Sequence, residues 1–227
     1  MRKTSVAIIL PALNEEQTIG KVIDEIAMVP LEREGYEVQI VLVDGESSDR
    51  TRQIAHEKNA RIIVEPRRGK GRAIRTAFQQ VKADYIFMLD ADYTYPATYI
   101  PDLLAKLRDG YDVVIGTRLT GKRAKGSISI LNIIGNYCLT MLATILYRRR
   151  ISDVCTGYWG FKGEIVPKLK LRADDFNLEA DLFSQIAKNG YALGEIPIYY
   201  RRRSSRSKLK SIRAGIKIAR TLIGRRF

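Results

Sequence analysis

The chain has one histidine, two cysteines and, after Glu195, no acidic residue at all. Each shortage removes a class of chemistry. His56 lies among Arg52, Glu57 and Lys58, the setting of a solvated surface side chain, so histidine-driven nucleophilic catalysis has no candidate. Cys138 and Cys155 supply neither a disulfide framework nor a thiolate metal site, and they suit a reducing, cytosolic setting. The apolar run 6–10 is too short for the core of a signal peptide and Pro11 ends it, so it reads as a first strand. No Walker A spacing occurs. Arg67-Arg68-Gly69-Lys70-Gly71-Arg72 has the glycines and cations of a phosphate loop without that spacing, and reads equally as a nucleotide-steering loop or an exposed turn.

What the chain does have is concentrated locally. Its formal charge of +14 comes from the C-terminus, where eleven Lys and Arg follow Glu195, leaving 28 basic against 25 acidic residues before it. Such a block seeks an anionic partner: nucleic acid, anionic lipid or a phosphorylated substrate. Tyr199 and Tyr200 precede the run and do not interleave with it as base-stacking platforms do, which argues against nucleic acid. Leu209, Ile212, Ile216, Ala219 and Ile223 recur at helical spacing and make one apolar stripe on a basic helix. That helix either lies on an anionic membrane or docks on the domain core. Between Lys125 and Arg148 no residue is charged, and 128–147 approaches the length of a membrane span. Asn132, Gly135, Asn136, Thr140 and Thr144 interrupt it, so a helix buried in the protein or lying in the headgroup region is expected instead.

β-Branched runs at 6–10, 39–43, 61–64, 85–89 and 113–115 alternate with helical patterns at 16–28, 49–57, 70–81 and 99–108. This alternation predicts a largely parallel sheet with helices on both faces and ligands beyond the carboxyl ends of its strands. The second half is less regular: a glycine-rich aromatic stretch at 156–161, a helix near 178–188 and a strand near 193–198. At one strand end, Asp90-Ala91-Asp92 places two carboxylates where they can address one hard cation, Mg²⁺ or Mn²⁺, on a pyrophosphate. The same Asp92, or Thr94, also reads as a cap for a helix starting near Pro96. At another strand end Asp44 is placed to hold a base or a ribose hydroxyl, with Ser48 or Asp49 capping the next helix.

Taken in order, 11–16 (Pro-Ala-Leu-Asn-Glu-Glu), 43–51, 69–71, 89–92, 116–118, 153–157 and 196–209 resemble glycosyltransferase family 2, in its dolichyl-phosphate (polyprenyl-phosphate) sugar synthase branch. The resemblance covers nearly the whole chain. It implies an α/β GT-A fold over 1–227, Rossmann-like, with a mostly parallel sheet flanked by helices and a C-terminal amphipathic basic helix. In it, 1–120 would bind the nucleotide-sugar and 121–227 would face acceptor and membrane. The implied reaction is inverting transfer of a hexose from GDP-mannose, UDP-glucose or UDP-N-acetylglucosamine to dolichyl or polyprenyl phosphate, with Mg²⁺ or Mn²⁺.

By the same likeness Pro11, Leu13, Glu15, Asp44, Ser47, Lys70, Asp90, Ala91, Asp92, Arg202 and Lys208 would surround the nucleotide-sugar, with Asp90 and Asp92 on the metal. Arg118, Arg123 and Ser207 would meet the acceptor phosphate. Asp92, Arg118, Glu179 and Asp181 would form the catalytic set; the last two orient sugar hydroxyls, or are merely helix-start charges. A phosphate nucleophile, with a second pKa near 6, needs no general base. A glycan acceptor would need one, and Asp181 is then the candidate. Four departures bear on donor and phosphate geometry: Ile133 stands where many relatives have arginine, Thr94 replaces a glutamine, and Arg50 and Ser205 replace glycines. With no further C-terminal membrane helices, the expected location is peripheral, on the cytoplasmic face of a membrane.

Overall fold

Strands and helices alternate as the hydrophobic pattern predicts. In the computed structural model, which describes residues 2–203 and 211–227, the first half runs β1 (Ser5–Ala12), α1 (Ile19–Ala27), β2 (Glu37–Asp44), α2 (Thr51–Glu57), β3 (Arg61–Val64), α3 (Lys70–Gln80), β4 (Tyr85–Met88), α4 (Ile100–Arg108) and β5 (Val113–Thr117). The second half adds α5 (Ile130–Tyr147), β6 (Trp159–Lys162), α6 (Leu178–Lys188), β7 (Leu193–Pro197) and α7 (Ser211–Arg226). Strands of both halves share one sheet in the order β3-β2-β1-β4-β6-β5-β7. All pairings are parallel except those of β6, which runs against both β4 and β5. The sequence reading did not resolve β6 as a strand. Its register depends on Gly160, where a Cβ would stand 2.6 Å from the Phe87 ring on β4.

Both faces of the sheet are covered, which is why its strands read as nearly continuous apolar runs. Alternation along β1 sends Val6, Ile8 and Leu10 to one face, against Ile19 and Ile23 of α1, Ala55 of α2 and Leu103 of α4. Ala7 and Ile9 point to the other, against Ile74 of α3, Ala143 of α5, Phe183 of α6, and Ile218 and Leu222 of α7.

Of the two settings expected for helix α5, buried in the protein or lying in the headgroup region, the first is overturned. Its inner face carries Asn136 and Thr140 beside Leu139, Leu142 and Ala143, and a row of large apolar residues faces outward. Asn136 and Thr140 are buried, while Ile130, Leu131, Ile134, Tyr137, Met141 and Ile145 are exposed. By length and composition it is the one described helix able to cross a bilayer. Helix α7 has two unlike faces, and one of them docks on the domain core as the sequence allowed. Ile218 and Leu222 dock on the core, and Asn177 and Tyr147 hydrogen-bond Thr221 and the Leu222 carbonyl. The stripe read from the sequence points away: Ile212, Ile216 and Ile223 are exposed, and Leu209 lies outside the described residues.

Candidate active site

The parallel strands bring their carboxyl ends to one edge of the sheet, and antiparallel β6 brings its entry segment, 153–157, to the same edge. Along that edge Asn14, Glu46 and Tyr93, in the loops after β1, β2 and β4, hold positive φ angles of 54°, 62° and 64°. Non-glycine residues in this region are strained, and such strain gathers at functional sites. Here opens a cavity of about 770 Å³. Lys70, Asp90, Asp92, Arg118, Glu179, Arg202 and Arg203 line its polar part, and Leu131, Ile133, Ile212, Ile216 and Ile218 of α5 and α7 its apolar part.

Asp92 is buried, and its Oδ1 accepts hydrogen bonds from the Thr94 backbone N–H at 3.0 Å and the Thr94 hydroxyl at 2.5 Å. This is a local turn, and no side chain caps the short helix after Pro96. The Arg203 Nε lies 3.1 Å from Asp92 Oδ2, and Arg203 Nη2 lies 3.4 Å from Glu15. Burial, and then the charge of Asp90, raise the Asp92 pKa, while Arg203 and Thr94 oppose them. Two neighbouring carboxylates are hard oxygen donors of the kind that suit Mg²⁺ or Mn²⁺. Among the described residues no third Asp, Glu, His or Cys joins them.

Beneath them lies a second charged cluster. Lys70 Nζ sits 2.5 Å from Asp90 Oδ1 and 2.7 Å from Glu179 Oε1, with its side chain only 11% exposed. Burial alone would lower its pKa; the two carboxylates more than reverse this and leave it raised. Burial raises the Glu179 carboxyl, with Lys70 opposing. On the far wall, fully buried Asp153 grips Arg118 with two bonds of 2.8 Å, to Nε and Nη2, and accepts the Arg118 backbone N–H at 3.0 Å. Burial would raise the Asp153 pKa, but the charge and hydrogen bonds of Arg118 outweigh it and hold the carboxyl below its usual range. Arg118 also stands over the Tyr200 ring, 5.4 Å from its centroid. At the tip of β2, Asp44 is fully buried; its Oδ2 accepts the Ser47 N–H and pairs with Arg52, whereas its Oδ1 has no hydrogen-bond partner among the described residues. A buried acceptor left in this state calls for a donor from outside the chain.

The sequence model of Glycosyl transferase family 2 matches residues 7–169. The chain belongs to glycosyltransferase family 2. Its sequence is 33% identical to a dolichyl-phosphate hexose transferase of Haloferax volcanii, over 96% of this chain and 92% of that one. It is 26% identical to a dolichol-phosphate mannosyltransferase of Pyrococcus furiosus, over 90% of this chain and 59% of that longer protein. Among solved structures, glucosyl-3-phosphoglycerate synthase of Mycobacterium tuberculosis, in complex with Mn²⁺, UDP-glucose and phosphoglyceric acid, matches with a TM-score of 0.77. The match covers 99% of this chain and 80% of that one at 21% identity. At that identity the likeness carries the fold, which is GT-A.

The site residues suggested by the sequence divide between this cleft and the structure around it. Asp181 is corrected: it is fully buried away from the cleft, accepting the Arg172 and Ala173 backbone N–H groups and pairing with Arg225 at 2.5 Å, so it anchors α7 to α6. Ser47 is a buried staple that accepts the Asn14 N–H. Arg123 is spent on the Arg118 and Leu119 carbonyls and does not line the cavity. Lys70 is held by carboxylates, and its flanking glycines serve packing, not a phosphate cradle. A Cβ on Gly69 (φ 129°) or Gly71 would overlap the backbone carbonyl of Asp174 or Ala173. Pro11 belongs to β1, Leu13 packs under Gly45, and Ala91 is buried between the paired aspartates. Ser207 and Lys208 lie outside the described residues. The sequence reading missed Arg203, choosing its exposed neighbour Arg202; nothing local distinguishes three consecutive arginines.

Gly157 was also missed. Its missing side chain lets β6 enter beside Asp90: a Cβ there would stand 2.7 Å from Asp90 Oδ2. Gly157→Ala is expected to fold, because a carboxylate tip can yield, but to push Asp90 off its position. Displacements of this size in a reacting constellation cost about 100-fold. Sugar-transfer assays beside thermal melting check it, and an alanine variant with unchanged turnover contradicts the placement of Asp90.

Proposed function

We propose that this chain moves a hexose, with inversion, from a nucleotide-diphosphate sugar onto a polyprenyl phosphate at a membrane surface. The observation that carries this reading is one cavity whose floor is carboxylate and arginine and whose walls are the apolar sides of two helices. A lipid phosphate has both characters. The exposed apolar residues of α5 and α7 would each gain about 1.5–3 kcal/mol on full burial. Arg213, Lys217, Arg220 and Arg226 surround the α7 stripe, the pattern of a helix seated on an anionic bilayer. Residues 1–120 then hold the donor and 121–227 the acceptor and membrane, with attachment from the cytoplasmic side.

On the donor side, the unpartnered oxygen of Asp44 awaits a base or ribose donor, with Pro11, Leu13 and Glu15 at the neighbouring strand tip. Asp90 and Asp92 would hold Mg²⁺ or Mn²⁺, which supplies charge neutralisation on the leaving diphosphate. Arg118 and Arg202 line the cavity with positive charge that draws two anions together. Glu179, held by Lys70, faces the same space and is placed to accept from sugar hydroxyls. An acceptor phosphate oxygen, largely ionised at neutral pH, attacks the anomeric carbon as the bond to the diphosphate breaks. No proton is removed, so the burial of Asp181 outside the cleft costs this reaction nothing.

The test is a panel of labelled GDP-mannose, UDP-glucose and UDP-N-acetylglucosamine with a polyprenyl phosphate in anionic vesicles. Label from one donor is expected to enter the organic phase, to stop with a chelator and to resume with added Mg²⁺ or Mn²⁺. Label that stays in water with every donor, or transfer indifferent to the chelator, overturns the reading.

A further inference from the structure

Arg118 is held by a carboxylate that is itself held from α5. Asp153 offers about four lone-pair sites. Arg118 takes three through its backbone N–H, Nε and Nη2, and Asn136 Nδ2 takes the fourth with a 2.6 Å bond to Oδ1. The other end of the Asn136 amide is used too: its Oδ1 accepts the Thr140 hydroxyl at 3.4 Å, and that hydroxyl accepts the Val154 N–H at 3.1 Å. Asn136 and Thr140 are thus the inward rungs of a helix whose outward side is Ile134, Tyr137, Met141 and Ile145.

We propose that Asn136 is a positioning residue: it fixes Asp153, and through it Arg118, in the orientation that grips the acceptor's phosphate, and so ties that grip to the seating of α5. The inference rests on the acceptor reading given above. A bidentate fork is directional, and its direction is set by the carboxylate plane. Apart from Arg118 itself, Asn136 is the one side-chain donor to Asp153 among the described residues, so without it one buried oxygen loses a partner and the carboxylate plane loses its side-chain tie to α5. The Asp90 and Asp92 carboxylates take no bond from this network, and donor binding should not sense its loss.

The experiment uses the full chain and two probes measured by calorimetry: farnesyl phosphate, a short soluble polyprenyl phosphate, and whichever of UDP or GDP the wild type binds. Asn136→Ala is expected to weaken farnesyl phosphate about tenfold, the effect of one lost buried hydrogen bond, with nucleotide affinity changed less than twofold. Asn136→Ser, which keeps a hydroxyl but lacks reach, is carried in parallel in case the alanine variant fails to fold, with the same expectation. A purely structural role would move both affinities together or neither, and either result overturns the proposal. So does a wild type that fails to bind farnesyl phosphate. A wild type that binds it yet transfers no sugar removes the proposed activity, while the contrast between the two probes still decides the role of Asn136.

Discussion

Asp92→Asn is expected to lower sugar transfer by at least about 100-fold, the usual cost of removing an electrostatic stabiliser of a developing charge, while the protein melts within a few degrees of wild type. Loss of activity follows from the donor set, since no third Asp, Glu, His or Cys joins these two carboxylates among the described residues and an amide is a neutral, weaker ligand. The stability follows from the surroundings. Burial and the neighbouring charge of Asp90 already raise the Asp92 pKa, so its ionised form is a cost to the folded state at neutral pH and not a gain. An asparagine oxygen still accepts both Thr94 bonds, and Arg203 keeps its contact with Glu15. Melting curves and transfer rates at saturating Mg²⁺ or Mn²⁺ read the two effects separately. Undiminished turnover would remove the cation from these aspartates.

Lys70→Met is expected to do the reverse, striking stability first. The ammonium separates two carboxylates in a nearly closed space, and removing it leaves both without their counter-charge. Breaking a buried pair in this way costs about 3–5 kcal/mol, or roughly 10 °C in melting temperature for a chain of this size. The pH dependence has a definite sign. Without Lys70 the strongest opposition to the burial that already raises Glu179 is gone, so its folded pKa rises further above the unfolded value. A carboxyl of raised folded pKa binds its proton more tightly in the folded state, so the variant gains stability on acidification. Its deficit against wild type should narrow between pH 8 and 5.5. A deficit that is constant or widens on acidification would mean that the cluster is not charged as drawn.

The first half of the fold was legible because each strand is an apolar run ended by a residue with chemistry, and Asp44, Asp90 and Asp92 all stand at strand tips. Pairing across the chain was not legible. Lys70 beside two glycines resembles a phosphate loop until Glu179, 109 positions away, is found against it. Asp181 and Glu179 are two residues apart on one helix, yet one meets Arg225 and the other Lys70; the helical turn separates them, and only the packed partners say which faces the cleft. In α5 the spacing of Asn136 and Thr140 marks a polar face, but a sequence cannot say that this face points inward. It points inward because Asp153 and Val154 offer it hydrogen bonds. Strand β6 escaped notice because a run of Gly, Trp and Phe carries no period-2 alternation when both of its faces are buried.

The contact between α3 and the segment before α6 has a mechanical consequence. Two glycines bring the backbones together, Arg72 and Arg75 both clasp Asp174, and Lys70 bolts Glu179 to Asp90. The halves are riveted on that side and share one continuous sheet, so the described residues offer no hinge about which they can swing. The scattering envelope should therefore stay the same size whether or not nucleotide is bound.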